Sequence, residues 1–414
     1  MKRSVKRMFI LLSVLAVFLA VFPAAGPPPG PQVAAEIVAD GGWDDGLVNW
    51  HTSSLPADQV KAVYRTPEGV QFVSYSPFWD EERLKELHDI FSQMLVGNEI
   101  RYLSKIIISN ELSLFTQGAY FPAYYRYGDR YELAPGRVIV LYKDFRSTEA
   151  IASTLAHEYG HHFTHYWITK KEGKWPDDPN TGWAKLRDLS DYPVVWADSG
   201  LEKTHKWMPQ EIMADEYAVL FGPPALRNAL VGKNETSLIG RVENDLIPLP
   251  DNDPRIRDYW LNLSDLEASP LEPLKPPVIT SIQAIKHPYA YKWDYLVEFE
   301  PATDDPDRQK RIQYFVRWKH AIFDGQSVPE TGVTRVLYSR YTSDQRNPNF
   351  EEPRWKGYFA VYAFDRETGQ FVKSDPVWFD MTNPDQPVPL QDPYDPSRTT
   401  LQIVFGKGED FSDS

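Results

Sequence analysis

The sequence predicts two folded parts of different class, an α+β domain followed by an all-β sandwich. Apolar residues at helical spacing alternate with short apolar strands in the first part, whereas short alternating strands between turn clusters fill the second. The segment Ala-Ser-Pro-Leu-Glu-Pro-Leu-Lys-Pro-Pro at 268–277 separates them and is typical of an exposed, extended linker. A chain of 414 residues has room for roughly two or three domains.

The first 35 residues are typical of a secretory signal peptide followed by a proline-rich spacer. Basic residues within 2–7 precede an apolar run at 8–22, and a Pro/Gly-rich stretch follows at 23–31. This order predicts export, with cleavage near Ala25 or after Ala35. The run is shorter than the ~20 apolar residues that a spanning helix needs, so a membrane anchor formed by an uncleaved signal is the alternative. We therefore expect an extracellular, secreted protein.

The composition excludes several classes of protein. An apolar content of 42% is enough for a globular core. The formal net charge of −14 argues against a nucleic-acid partner, because phosphates would be repelled. Cysteine is absent, which removes disulfides, a thiol nucleophile and thiolate metal ligands. Aromatic residues reach 14%, which fits either aromatic-rich cores or contacts with carbohydrate or cell-surface material.

The predicted α+β domain spans residues 36–267. Helices are predicted at 80–96, at 147–169 and from Pro209 to the Gly-Pro-Pro at 222–224. Strands are predicted at 70–73, 102–109, 119–127 and 138–142. This order indicates helices packed on one face of a mostly antiparallel sheet. The polar stretch at 170–199 is predicted to be a long irregular surface loop.

The second part has its own strand pattern. Alternating runs at 295–299, 314–318 and 357–365 within residues 278–382 indicate a β-sandwich. About a quarter of the chain thus resembles a fibronectin type III or immunoglobulin-like domain, at the level of pattern only. Such sandwiches have many functions, and contact with a cell-surface or wall component is one of them. Residues 383–414 are predicted to be a Pro/Asp-rich C-terminal tail, which can add a strand at 399–405.

The helix at 147–169 contains the pattern H-E-x-x-H, from His157 to His161. Residues four apart lie on one helix face, so both imidazoles can bind one metal ion. Two neutral nitrogens and an open position suit zinc. Glu158 is rotated about 100° from His157 and can reach a water on that metal and take its proton. The alternative is an ordinary amphipathic helix with two structural histidines.

A catalytic zinc needs a third protein ligand. A third histidine in the extended pattern H-E-x-x-H-x-x-G-x-x-H is excluded, because Thr164 and Trp167 occupy the Gly and His positions. The helix that begins at Pro209 contains E-x-x-A-D, with Glu211 and Asp215 on one face. Glu211 can bind the metal, while Asp215 can accept the other ring N–H of a liganding histidine. The alternative for this pair is a solvated helix face.

Four neighbouring residues are further candidates. His205 precedes the second helix and is either a donor to the transition state or a solvated loop histidine. His162 and His165 follow the motif and are candidates for ligation or for positions beside the site. Glu216 is one position beyond Asp215, and we expect it to be an exposed helix residue.

At these residues the chain resembles the gluzincin zinc metallopeptidases, over roughly residues 80–246. The resemblance implies a zincin-like metallopeptidase domain with one zinc ion bound by His157, His161 and Glu211. It also implies that Glu158 is the general base and that Asp215 orients a histidine ligand. The implied activity is hydrolysis of a protein or peptide substrate, which adds as a strand to a sheet edge; residues 119–127 are the candidate edge.

Two other readings remain open. One is a non-catalytic secreted or cell-surface binding protein that retains a peptidase-like fold, and the intact Glu158 argues against it. The other is an enzyme restricted to one surface or wall partner.

Overall fold

The structure is a computed structural model that describes residues 36–39, 59–111, 116–196, 205–223, 242–244, 246–286, 293–318, 321–324, 334–340, 356–380, 386–398 and 400–406. The predicted signal segment at 1–35 and most of 225–246 lie outside the described residues. Among the helices of the described residues, none is long and apolar enough to cross a membrane.

A five-stranded sheet underlies the first half of the structure, the part that precedes the proline-rich segment at 268–277. The strands of this half are β1 (Glu36–Ala39), β2 (Ala62–Arg65), β3 (Gln71–Ser74), β4 (Leu103–Ile108), β5 (Gly118–Phe121), β6 (Ala123–Tyr127), β7 (Arg130–Leu133) and β8 (Arg137–Leu141). The sheet has the order β2-β3-β4-β8-β5. The inner pairs β3–β4 and β4–β8 are parallel, and the edge strands are antiparallel. The five-stranded sheet is therefore mixed, with two parallel and two antiparallel pairs, and it only partly fits the expectation of a mostly antiparallel sheet. A crossover helix between β3 and β4 permits the parallel pairing.

The strand predicted at 119–127 is divided between two sheets. β5 ends at Phe121 and pairs with β8, whereas β6 begins at Ala123 and lies between β1 and β7 in a separate three-stranded sheet. Pro122 separates them, and its missing N–H interrupts a ladder of hydrogen bonds. The first piece becomes an edge strand of the larger sheet.

The helices of this half are α1 (Glu81–Phe91), α2 (Thr148–Glu172), α3 (Gly182–Arg187), α4 (Pro209–Phe221) and α5 (Pro254–Ser264). The predicted start of α2 is confirmed, because the Ser147 hydroxyl accepts a hydrogen bond from the N–H of Ala150. Gly173 caps the end of α2, and its φ of 65° suits glycine. The predicted start of α4 at Pro209 is confirmed, and Gly222 caps its end.

The stretch predicted as a long irregular surface loop at 170–199 is only partly irregular over its described residues, 170–196. Its first residues extend α2, and α3 follows with Trp183 fully buried against α4. The indole N–H of Trp183 donates to Glu216 at 2.7 Å, and the Nε of Arg187 lies 2.8 Å from the same carboxylate. Glu216 is only 2% exposed, so the expectation of an exposed residue is wrong. The segment folds back over the helix face that would otherwise meet solvent.

The second half, the part that follows the proline-rich segment, consists of two packed sheets. Its strands are β9 (Val278–Lys286), β10 (Trp293–Glu300), β11 (Ile312–Trp318), β12 (Ala321–Asp324), β13 (Thr334–Arg340), β14 (Lys356–Asp365), β15 (Phe371–Lys373), β16 (Val377–Asp380), β17 (Val388–Leu390) and β18 (Ile403–Gly406), with a short helix α6 (Pro306–Gln309). One sheet has the order β13-β10-β9-β18 and the other β12-β11-β14-β16-β17. Val297 and Val316, from opposite sheets, belong to one buried apolar cluster. β17 and β18 both lie in these sheets, so the boundary drawn at 382 falls inside the folded part.

The two halves share a buried junction. The carboxylate of Asp251 accepts the N–H of Phe371 at 2.8 Å, and the ammonium of Lys373 donates to the carbonyl of Ile247 at 2.8 Å. Trp378 belongs to the same apolar cluster as the first half. Leu274, within the proline-rich segment, is buried in the core of the second half, so that segment is only partly exposed. The halves therefore contact each other through side chains as well as through the linker.

Candidate metal centre

The site forms where α2 and α4 cross at close range. Gly160 lies at the crossing, and a Cβ atom added to it would be 2.6 Å from the carbonyl oxygen and 2.9 Å from the Cα of Ala214. These separations are below the ~3.5 Å of ordinary non-bonded contact, so the backbones meet directly. Glycine permits this approach because it has no side chain. The crossing brings the motif of α2 face to face with the carboxylates of α4.

Three predicted ligands converge at this crossing. The Nε2 atoms of His157 and His161 lie 3.2 and 3.3 Å from Oε2 of Glu211, and the three ligand atoms are within 4.8 Å of one another. Tetrahedral zinc holds nitrogen and oxygen ligands at about 2.0–2.1 Å, which sets neighbouring ligand atoms about 3.3 Å apart. The spacing and the donor set therefore fit a zinc ion.

The Glu211 carboxylate is suited to binding a cation. Burial alone would raise its pKa, but the neighbouring His161 and His157 hold this pKa well below its usual value. The group is ionised at neutral pH and almost completely buried. Glu211 therefore supplies negative charge where two imidazole nitrogens point, as a metal ligand must.

Asp215 supports the site from behind His157. Its Oδ1 lies 2.8 Å from Nδ1 of His157, and its Oδ2 accepts the backbone N–H of Glu243 at 2.7 Å. With Nδ1 donating to Asp215, the neutral ring that a metal requires has its lone pair on Nε2, which faces Glu211. In the metal-free protein, burial lowers the pKa of His157, but hydrogen bonds to Asp215 and Glu211 outweigh burial and raise it well above its usual value.

Glu158 faces the edge strand β5. A Cβ atom added to Gly118 would lie 2.5 Å from Oε1 of Glu158 and 2.7 Å from Cγ2 of Thr154, so the carboxylate packs directly on the strand backbone. Burial raises the pKa of Glu158, and the nearby charges of His157 and His161 oppose this rise. The group is thus a buried carboxylate beside the ligand cluster but not part of it.

His205 lies beside the ligand cluster, in a short 3-10 turn at His205–Trp207. Its Nε2 is 3.3 Å from Oε2 of Glu211, and its Nδ1 contacts the carboxylate of Glu243. Burial lowers the pKa of His205, but Glu243 and Glu211 outweigh burial and raise it to about 9. Its side chain is 54% exposed, so it meets both the site and solvent.

Glu243 was not predicted from the sequence. It contacts His205 through its side chain and Asp215 through its backbone N–H, and it therefore connects the two. No local motif marks it, because it lies outside regular secondary structure and half of its role belongs to the main chain. The signal that could have indicated it is indirect. The predicted carboxylate of Asp215 contacts His157 through one oxygen and needs a hydrogen-bond donor for the other.

The other two histidines of α2 turn away from the ligand cluster. Nδ1 of His162 is 3.0 Å from the hydroxyl of Tyr120, and its Nε2 donates to the carbonyl of Glu99 at 2.8 Å. His165 contacts the hydroxyl of Tyr124 through Nδ1. Neither belongs to the group that could hold a metal among the described residues, so the structure does not support ligation by them.

The Glu99 carboxylate is a second feature that sequence reasoning missed. It is fully buried and accepts the hydroxyl of Tyr159 at 2.7 Å and the indole N–H of Trp167 at 2.9 Å. These bonds fix the side of α2 opposite the ligands.

Comparisons with known protein families, with curated proteins and with solved structures found no match to this chain. A functional assignment therefore depends on the geometry of the site.

Proposed function

We propose that the chain is a zinc-dependent endopeptidase of the gluzincin type. The observation that supports this most is the convergence of His157, His161 and Glu211 at the spacing of a zinc site. A zinc ion bound there supplies Lewis acidity, which polarises a peptide carbonyl and lowers the pKa of water. The proposal includes secretion through segment 1–35, supported by its order of basic and then apolar residues.

Glu158 is the general base in this proposal. Its carboxylate takes the proton of the attacking water and returns it to the leaving amine. Burial raises its pKa, which makes the carboxylate a better proton acceptor near neutral pH. Contact with the backbone at Gly118 holds the group in one place.

His205 donates a hydrogen bond to the oxyanion that forms on the scissile carbonyl. In the metal-free protein, a pKa of about 9 keeps this imidazole protonated at neutral pH, so both ring nitrogens carry hydrogen. Glu243 accepts one of these hydrogens, which leaves the other directed at the site. A preorganised cation at this point stabilises negative charge as it develops.

The edge strand β5 supports a peptide as the substrate. β5 pairs with β8 on one side, and within the described residues no strand pairs with its other side. An extended peptide can add there through main-chain hydrogen bonds. Since Gly118 of this strand touches Glu158, a peptide bound along β5 passes beside the base.

The test separates catalysis from metal binding. Glu158→Gln should keep one zinc per chain and lose about 10²–10⁴-fold in casein hydrolysis, because the amide cannot accept the proton. Hydrolysis by wild type should stop with a chelator and return with zinc. A Glu158→Gln protein that digests casein like wild type would contradict the mechanism. A wild-type protein that holds zinc without cleaving casein or a peptide library would favour the binding-protein alternative.

A further inference from the structure

The second half of the chain reaches the turn that carries His205. The ring of Tyr394 stacks on Tyr192, with centroids 5.2 Å apart and an angle of 17° between the planes. The same ring lies 5.7 Å from the indole of Trp207. Trp207 is two residues beyond His205 and belongs to the same 3-10 turn. A side chain of the second half therefore contacts the support of a site residue.

Trp207 is the buried last residue of this turn. Its carbonyl accepts the N–H of Val195 at 2.9 Å, and its indole is almost completely buried. The preceding carbonyl, of Lys206, accepts the side-chain amide of Asn244 at 2.8 Å. These bonds fix the backbone of the turn, whereas the aromatic rings fix the indole. Among the described residues, the half-exposed side chain of His205 has its polar contacts with Glu211 and Glu243.

Tyr394 is held firmly by its own segment. Arg398 pairs with Asp392 at 2.6 Å and with Asp375 at 3.0 Å, which closes the loop that carries Tyr394. The strand before this loop, β17, pairs with β16 through Trp378 and Leu390. The ring of Tyr394 is thus presented by a fixed part of the second sheet.

We propose that Tyr394 is a positioning residue for the site, and that the second half of the chain is a structural part of the catalytic unit. The ring holds Trp207, and through Trp207 it keeps the imidazole of His205 directed at Glu211. This inference rests on the proposed function, in which His205 acts on the developing oxyanion. It assigns to the second half a role inside the enzyme, in addition to any contact with a surface partner.

Substitution of Tyr394 gives a test with a matched control. Tyr394→Ala removes the ring, and we expect kcat to fall about tenfold or more with full zinc content, because a displacement of about 1 Å can cost about 100-fold. Tyr394→Phe keeps the ring and should retain most of kcat. Val388→Ala lies in the same segment at a side chain that is 57% exposed, and it should match wild type.

The same substitution made in a His205→Ala protein distinguishes a positioning role of Tyr394 from a general effect on stability. In His205→Ala, the further change Tyr394→Ala should lower kcat by less than about twofold, since the residue that Tyr394 positions is already absent. An equal loss of kcat in both backgrounds would overturn the proposal, as would a Tyr394→Ala protein with the kcat of wild type. Tyr394→Leu replaces the ring by a smaller apolar group and serves if the alanine variant fails to fold; the same outcomes then apply to it.

A readout independent of turnover completes the test. The imidazole proton resonance that is missing in His205→Ala should shift or broaden in Tyr394→Ala and stay unchanged in Val388→Ala. An unchanged resonance in Tyr394→Ala would overturn the proposal. Failure of the proposed function is recognised separately, as an unimpaired Glu158→Gln enzyme.

Discussion

Substitution of Gly160 tests the helix crossing on which the proposed metal site depends. In Gly160→Ala, the new Cβ would meet the Ala214 carbonyl oxygen at 2.6 Å and its Cα at 2.9 Å, so α4 must move by several tenths of an ångström. Alanine gains about 1 kcal/mol in helix propensity, whereas overpacking costs about 1–3 kcal/mol. The net effect is a loss of up to about 2 kcal/mol in the free energy of unfolding.

The larger effect of Gly160→Ala should be on zinc affinity. Oε2 of Glu211 is 3.2 and 3.3 Å from the two histidine nitrogens, and a functional ligand set tolerates displacements of only about 0.5 Å. We therefore expect zinc affinity to fall about 10–100-fold, the range found when the support of a ligand is disturbed. A competition titration with a zinc indicator measures this directly.

The control is Ile151→Val on the same helix. Ile151 is fully buried, so its shortening costs about 0.5–1.5 kcal/mol without moving α4. It should lower the melting temperature and leave zinc affinity intact. The reasoning is refuted if Gly160→Ala binds zinc within twofold of wild type, or if Ile151→Val loses zinc to the same extent.

Three further predictions follow from other contacts. Gly118→Ala should retain zinc but lose at least tenfold in kcat, measured on a peptide, because its Cβ displaces the carboxylate of Glu158. Glu216→Gln should lower the free energy of unfolding by about 3 kcal/mol in urea titrations, because it leaves the buried Arg187 without its counter-charge. Asp365 is buried, which alone would raise its pKa, but hydrogen bonds from backbone N–H groups and Arg308 hold this pKa below its ordinary 3.8. The ion therefore stabilises the fold above pH 3.8, and this contribution is lost as pH falls through the lowered pKa. Asp365→Asn should thus be less stable than wild type at pH 7, with a smaller difference at pH 3; an equal difference at both values would contradict this.

Local patterns predicted the elements that carry the site. α2 and α4 begin at the predicted residues, because Ser147 and Pro209 are helix-start signals that act within one turn. Helical periodicity also predicted that Glu211, rather than Glu216, lies on the helix face toward the two histidines, and Glu211 is the residue that contacts them. The fold class, a zincin-like domain followed by a sandwich, stays a prediction.

Features that depend on distant parts of the chain were not predictable. Glu216 is buried because the segment around Trp183 returns over α4, and nothing in the sequence near Glu216 indicates this. The parallel pairs of the sheet depend on crossovers, which apolar runs do not encode. The contribution of Glu243 to Asp215 is made by its main chain, which is the same for every residue type except proline.

The shared junction changes the expectation for a shortened chain. The sequence alone suggests that a protein ending near Glu267 would fold and cleave short peptides. Removal of the second half would leave Asp251 without the N–H of Phe371 and would expose apolar residues that now share a core with Trp378. We expect such a protein to unfold at a lower temperature than the full chain in a thermal melt.

If the proposed site binds zinc, the bond from the amide of Glu243 to Asp215 would report metal occupancy. The amide is 2.7 Å from Oδ2 of Asp215, and the other oxygen of that carboxylate contacts His157. Loss of metal changes the charge on the imidazole and hence the strength with which the carboxylate accepts the amide proton. Hydrogen exchange and the chemical shift of this single amide would therefore follow zinc binding at the proposed site. Neither measurement needs a substrate or a coloured metal.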